Sequence, residues 1–195
     1  MHTRLAAAEE KSAAHENLEE KLSFKSRNVL VFGEIDDAMA RATCRRLLAL
    51  AAESKAPITL FVSSPGGHVE SGDAIHDVIS FVDAPVTTVG TGWVASAGAH
   101  IFLAPPKERR LCLPNTRFMI HQPAGGVGGR ASDIAIQARE MIRMRERIAR
   151  VIAERTGQPY DTVITDIERD HWMNADEAIR YGICSRVIKH QSDIG

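Results

Sequence analysis

The chain has 195 residues, 24 Lys and Arg against 25 Asp and Glu, a net charge of −1, and three cysteines. That length suffices for one domain with a real core and no stapling metal, and the charge balance excludes the basic excess of a nucleic-acid binder. Apolar runs are short, so nothing spans a membrane. Cys44, Cys112 and Cys184 are far apart with no CxxC pair, which points to a reduced, cytoplasmic protein with neither a zinc site nor a disulfide framework.

Residues 1–22 are rich in Ala, Glu and Lys and lack the apolar stretch of a secretory signal; they read as a frayed helix or tail outside the core. Asn28 to Phe32 is a first apolar strand, and Asp36 is a plausible N-cap for a helix over 37–52 carrying Met39, Thr43, Leu47 and Leu50 at helical spacing. Pro57 opens a buried strand, ITLFV, which ends in the sharp turn Ser64-Pro65-Gly66-Gly67. Ile75, Val78, Ile79 and Val82 then mark one face of a second helix. Val86 to Val89 is a strand, and 90–99 (GTGWVASAGA) is dense in small residues. Thr116 to Ile120 is another strand, followed by a Gly-rich segment, 125–129. The long helix after it is predicted to be capped by Ser132 and ended by Gly157. Asn174-Ala-Asp-Glu177 resembles a capping box before a last short helix and a strand through Val187 and Ile188. Strand and helix alternate without repeat or linker, the order of an α/β fold with a mostly parallel sheet.

Ser96 lies among small residues at a strand-to-helix junction, where free backbone N–H groups could hold a developing oxyanion. It is not in a GxSxG elbow, because position 94 is Val. A serine nucleophile needs a base, and the chain has eight histidines. His121 ends the strand RFMIH, whereas His100 follows Ser96 by four residues on one helix face; spacing leaves both open. Asp170 is one of many acids that could orient an imidazole. The SPGG turn lacks the Lys-Ser/Thr of a phosphate loop, and its better use is to offer backbone amides to an anion.

Five segments taken together carry a specific resemblance: SPGG at 64–67, GWVASAGA at 92–99, LPNTRFMIHQP at 113–123, GGRASDIAIQARE at 128–140 and ERDHWMNADEAIRYGI at 168–183. From Asn28 to Ile188 the chain resembles the proteolytic subunit of the ATP-dependent Clp protease, a serine peptidase family. The resemblance implies a ClpP/crotonase-like α/β fold, with a peptidase domain over 23–195 and a protruding handle at about 121–155. It assigns Ser96 as nucleophile, His121 as general base and Asp170 as the residue orienting it. Gly67 and Ala97 fall at the oxyanion-hole amides, Ala97 standing where Met is usual. Gly125 and Gly126 belong to a segment that would line an extended substrate as an added strand. Arg169 occupies the position of the contact between rings.

The resemblance also implies stacked seven-membered rings, unfolded protein substrates and a partner AAA+ unfoldase that spends the ATP, so that this subunit needs neither cofactor nor metal. Phe61, Phe81, Val89, Leu111, Leu113 and Ile188 keep the apolar character of the unfoldase docking pocket, while Thr59 and Thr91 stand where larger apolar residues are usual. The N-terminal tail, 1–22, does not match the family's apolar axial segment and reads as a removed propeptide or an altered axial gate, and His100 stands where an apolar aromatic is expected near the nucleophile. Two other classes compete: a poorly active or structural ring subunit paired with an active paralogue, and a crotonase-type acyl-CoA enzyme. The second needs no Ser-His pair, so the motifs disfavour it.

Overall fold

The computed structural model describes residues 18–126 and 128–194. Residues 18–25 are helical (α1), so regular structure crosses the boundary expected at residue 22, and Phe24 packs on the core. The remaining elements in chain order are β1 (Asn28–Phe32), α2 (Asp37–Glu53), β2 (Ile58–Ser64), α3 (Val69–Phe81), β3 (Val86–Ala95), α4 (Ala97–Phe102), β4 (Arg110–Cys112), β5 (Arg117–Ile120), α5 (Ala131–Thr156), α6 (Tyr160–Asp166), β6 (His171–Met173), α7 (Ala175–Tyr181) and β7 (Arg186–Val187).

The local signals behave as their chemistry requires. The Asp36 carboxylate accepts from the Met39 amide at 2.7 Å and starts α2. Asn174 and Glu177 cap each other's backbone at the head of α7. Gly157, in the left-handed region, ends α5. One expectation is corrected: Ser132 does not cap α5. Arg130 holds the cap position without a side-chain bond, and Ser132 lies inside the first turn.

The sheet runs β1-β2-β3-β4-β7, all parallel, and it forks at β3. The ten-residue β3 pairs through Thr88–Gly90 with β4 and through Trp93–Ala95 with β5, which in turn pairs antiparallel with β6. At the fork Gly90 leaves room for Thr116 and Phe118, where a Cβ would sit 3.1–3.2 Å from their side chains. The main core collects Leu47, Leu50, Leu60, Ile75, Ile101, Phe102 and Phe118, the last two rings edge-to-face at 5.2 Å. Cys112 and Cys184, distant in sequence, meet in this core as free thiols that share a hydrogen bond, their sulfurs 3.7 Å apart.

The first half of α5 is exposed throughout residues 131–140, and burial begins only at its base with Ile148, Ala149 and Ile152. The helix therefore projects as a handle, carrying exposed Ile134, Ile136 and Ile142. No helix among the described residues is long and apolar enough to cross a membrane.

Candidate active site

Sheet register brings the site together. Ala95 at the end of β3 is opposite Met119 in parallel β5, so Ser96 and His121 both leave the sheet at the same end. Ile120 of β5 is opposite His171 of antiparallel β6, which sets Asp170 against His121. Asp170 lies beyond α6, immediately before β6. The His121 Nε2 is 2.8 Å from Ser96 Oγ and its Nδ1 is 3.0 Å from Asp170 Oδ1. A carboxylate only accepts, so Nδ1–H donates to Asp170 and Nε2 is left to accept from the serine hydroxyl. The loop after His121 is tied down by Gln122, whose amide donates to Ile167 O at 2.7 Å and whose side chain donates to Glu168 O at 3.0 Å.

Ser96 holds a backbone conformation that non-glycine residues avoid, φ 54° and ψ −122°. Such a residue costs about 1–3 kcal/mol and persists only where its surroundings over-determine it. Here the Ser96 amide donates to Met119 O at 2.9 Å, and Ser96 O accepts the His100 amide at 3.1 Å to open α4. The turn before α3 presses on it as well: a Cβ at Gly66 (φ +102°) would lie 2.5 Å from Ser96 Cβ and 2.9 Å from Ser96 Oγ.

His100, the rival base on spacing, is engaged by α3 instead. Its Nε2 lies 2.9 Å from Asp73 Oδ1 and 3.1 Å from His76 Nδ1, both on α3. Four residues along a short helix placed the two side chains on one element but not in contact.

Gly67 and Ala97 carry the two amides expected at an oxyanion hole. Ile35 donates to Gly66 O at 2.9 Å and accepts from the His68 amide at 2.8 Å. In a parallel bridge these bonds use the neighbours of Gly67, so the Gly67 N–H points to the opposite side. Only glycine fits there, since a Cβ would meet Ile35 O at 2.2 Å at φ +148°. Ala97 is the first residue of α4, where the amide has no intrahelical acceptor. Neither amide donates to backbone among the described residues.

Beside Ser96 and His121 opens a pocket lined by Val69, Leu103, Ile120, Pro123, Ile148 and Ile152, with His100 as its other imidazole. Behind it lies a polar network that sequence reasoning missed, because residues 73, 76, 100 and 147 share no local pattern. Arg147 at the base of the handle grips both oxygens of Asp73 at 2.8 and 2.7 Å. Burial alone would raise Asp73, but bonding to His100 and Arg147 outweighs it and holds the carboxyl well below the usual carboxylate range. Burial, reinforced by the neighbouring His100, pushes His76 down to about 3, so that ring is neutral.

Comparison with known proteins decides the relationship. A profile described as Clp protease matches residues 10–191. The chain belongs to the Clp protease family. ATP-dependent Clp protease proteolytic subunit 3 of Rhizobium johnstonii is 57% identical over 171 residues, 88% of each chain. Proteolytic subunit 2 of Pseudomonas aeruginosa is 49% identical over 172 residues, 88% of this chain and 86% of that one. Among solved structures, ClpP1 from Listeria monocytogenes superposes with a TM-score of 0.83 at 49% identity, covering 91% of this chain and 99% of its own. The fold is thus the ClpP/crotonase-like α/β fold, and the family is one of serine peptidases.

Other positions singled out by the Clp protease resemblance are less tightly gathered. Gly125 and Gly126 lie in an exposed stretch with no regular structure between β5 and α5. Val89, Leu111 and Ile188 form a small buried cluster on the far face of the sheet, with Phe61 and Leu113 packed against it. Phe81 is not part of that cluster; it stands at the end of α3, 79% exposed. Ile194, on the turn Gln191–Ile194, covers the cluster instead and was not read from the sequence. Arg169 is exposed and pairs with no acid among the described residues. No group of three or more His, Cys, Asp or Glu among the described residues is arranged to hold a metal.

Proposed function

We propose that the chain is an active serine endopeptidase subunit of a self-compartmentalised, ring-shaped Clp protease, cleaving unfolded polypeptides. The reading rests on one observation above all: the unbroken chain from Ser96 Oγ through His121 to Asp170, with bonds of 2.8 and 3.0 Å. Ser96 attacks a peptide carbonyl while His121 Nε2 takes its proton, and Asp170 keeps the ring in the tautomer that can accept it. The oxyanion is held by the amides of Gly67 and Ala97. His121 then returns the proton to the leaving amine, and water releases the acyl-enzyme from Ser96 by the same route.

Enclosure comes from assembly. Asp170 is 60% exposed by its side chain, and the handle leaves Ile134, Ile136 and Ile142 uncovered, surfaces that stacked rings would bury. Arg169, next to Asp170, would then make the contact between rings and couple assembly to activity. Gly125 and Gly126 would lie along the substrate. An AAA+ unfoldase docking at Phe61, Leu113 and Ile188 would feed the chamber and spend the ATP, in the cytoplasm, with no cofactor bound to this subunit. Casein is therefore expected to be degraded only with a cognate unfoldase and ATP, and short peptides without either. Failure of every co-encoded unfoldase to stimulate degradation contradicts the partnership, and failure to cut short peptides contradicts the peptidase reading.

A further inference from the structure

We propose that Asp73 is a positioning residue for the pocket beside Ser96. Its carboxylate ties together the three helices that wall the pocket, and so fixes from behind which substrate side chain the pocket accepts. The inference rests on the reading of Ser96 as nucleophile, which makes this pocket the receiver of the side chain before the cleaved bond.

Each helix gives the pocket a wall: α3 supplies Val69, α4 supplies Ala99 and His100, and α5 supplies Ile148 and Ile152. Asp73 follows Val69 by one turn of α3 and is not itself part of the lining. Its Oδ1 accepts from His100 Nε2 at 2.9 Å, and its two oxygens accept from Arg147, the residue before Ile148, at 2.8 and 2.7 Å. A carboxylate only accepts, and the His100 ring can supply the N–H whether it is neutral or charged. These bonds keep the Asp73 carboxyl ionised although burial opposes it. The two-pronged Arg147 pair fixes orientation as well as distance. Among the described residues no other side-chain hydrogen bond or ion pair joins α5 to α3 or α4. The polar anchoring of the handle's base against the other two walls therefore passes through this one carboxylate. An asparagine there has the same shape but one acceptor oxygen, and its NH2 group would face a donor. Walls freed in this way close less tightly on a branched apolar side chain, and the contacts that distinguish Leu from Ala are lost.

The test uses the assembled protein and two fluorogenic peptides that differ only in Leu or Ala before the cleaved bond. The wild type is expected to favour Leu in kcat/KM, because the pocket wall is largely apolar. Asp73→Asn and Arg147→Gln are each expected to lower the Leu-to-Ala ratio by about tenfold, and the double variant no further, because both break one tie. Rates are referred to active sites counted by fluorophosphonate labelling, so loss of folded protein does not enter the ratio. A merely structural role would lower the melting temperature and the site count and leave the ratio alone. Arg147 is half-exposed, so Arg147→Gln decides by itself where Asp73→Asn does not assemble. An unchanged ratio in either variant overturns the proposal, as does a double variant whose loss is the product of the single losses. A wild type that does not favour Leu overturns it without any variant. A wild type that fluorophosphonate does not label at Ser96 refutes the nucleophile reading itself, and this inference falls with it.

Discussion

Replacing Gly66 with alanine tests whether the SPGG turn shapes the nucleophile or merely joins two elements. The new Cβ would start 2.5 Å from Ser96 Cβ, whereas ordinary contact begins near 3.4 Å, so turn and serine must separate by 0.9 Å. Ser96 sits in a strained conformation between β3 and α4 and has no slack with which to yield. A misplacement of about 1 Å costs on the order of 100-fold in rate, or about 3 kcal/mol of barrier. The positive φ adds about 1 kcal/mol of instability of its own. Gly33→Ala is the control for that second effect, because Gly33 also has a positive φ (+94°) but a Cβ there meets nothing within 4 Å. Hydrolysis of a short fluorogenic peptide, with melting temperature measured alongside, separates the two. Gly66→Ala should lose about 100-fold in kcat/KM, and Gly33→Ala should lose only stability. A Gly66→Ala protein within a few-fold of wild type would refute the packing argument.

Acid should weaken the fold through His76. Its pKa is about 3 when folded against 6.5 when free, so between these values the unfolded chain binds a proton that the folded chain refuses. Stability therefore falls as pH falls through this window, by up to about 1.4 kcal/mol per pH unit. His76→Phe should lose less melting temperature than wild type between pH 7.5 and 5.5, and parallel curves would contradict this. Asn174→Ala, which breaks the mutual caps at α7, should cost about 1 kcal/mol in denaturant unfolding; no change would mean that the capping box is idle. His121→Ala should drop peptide hydrolysis by about four orders of magnitude, while His100→Ala should keep measurable turnover; the reverse pattern would exchange their roles.

The alternation of strand and helix was legible because each long element carries its own period and cap. Asp36, Asn174 and Gly157 act where their chemistry predicted. The three-residue strands β4 and β6 were not, since each exists only through partners distant in sequence, as β6 does through β5. Ser132 misled because the chain enters α5 with Arg130 at the cap and no neighbour to impose a side-chain bond. At the site, Ser96, His121 and Asp170 were nameable through linked motifs, whereas spacing alone left His100 as a rival. Tertiary structure separates the two histidines: β5 delivers His121 to Ser96, and α3 draws His100 to Asp73. The role of Ile194 was equally hidden, since a lone isoleucine near a chain end carries no pattern.

The central claim is that Ser96 is an activated nucleophile. Its most direct test is to treat the assembled protein with a fluorophosphonate and locate the adduct by peptide mass spectrometry. The account predicts one adduct per subunit, on Ser96, absent from Ser96→Ala and strongly slowed in His121→Ala. Equal labelling of Ser96→Ala, or no labelling of a fully assembled wild type, would contradict it.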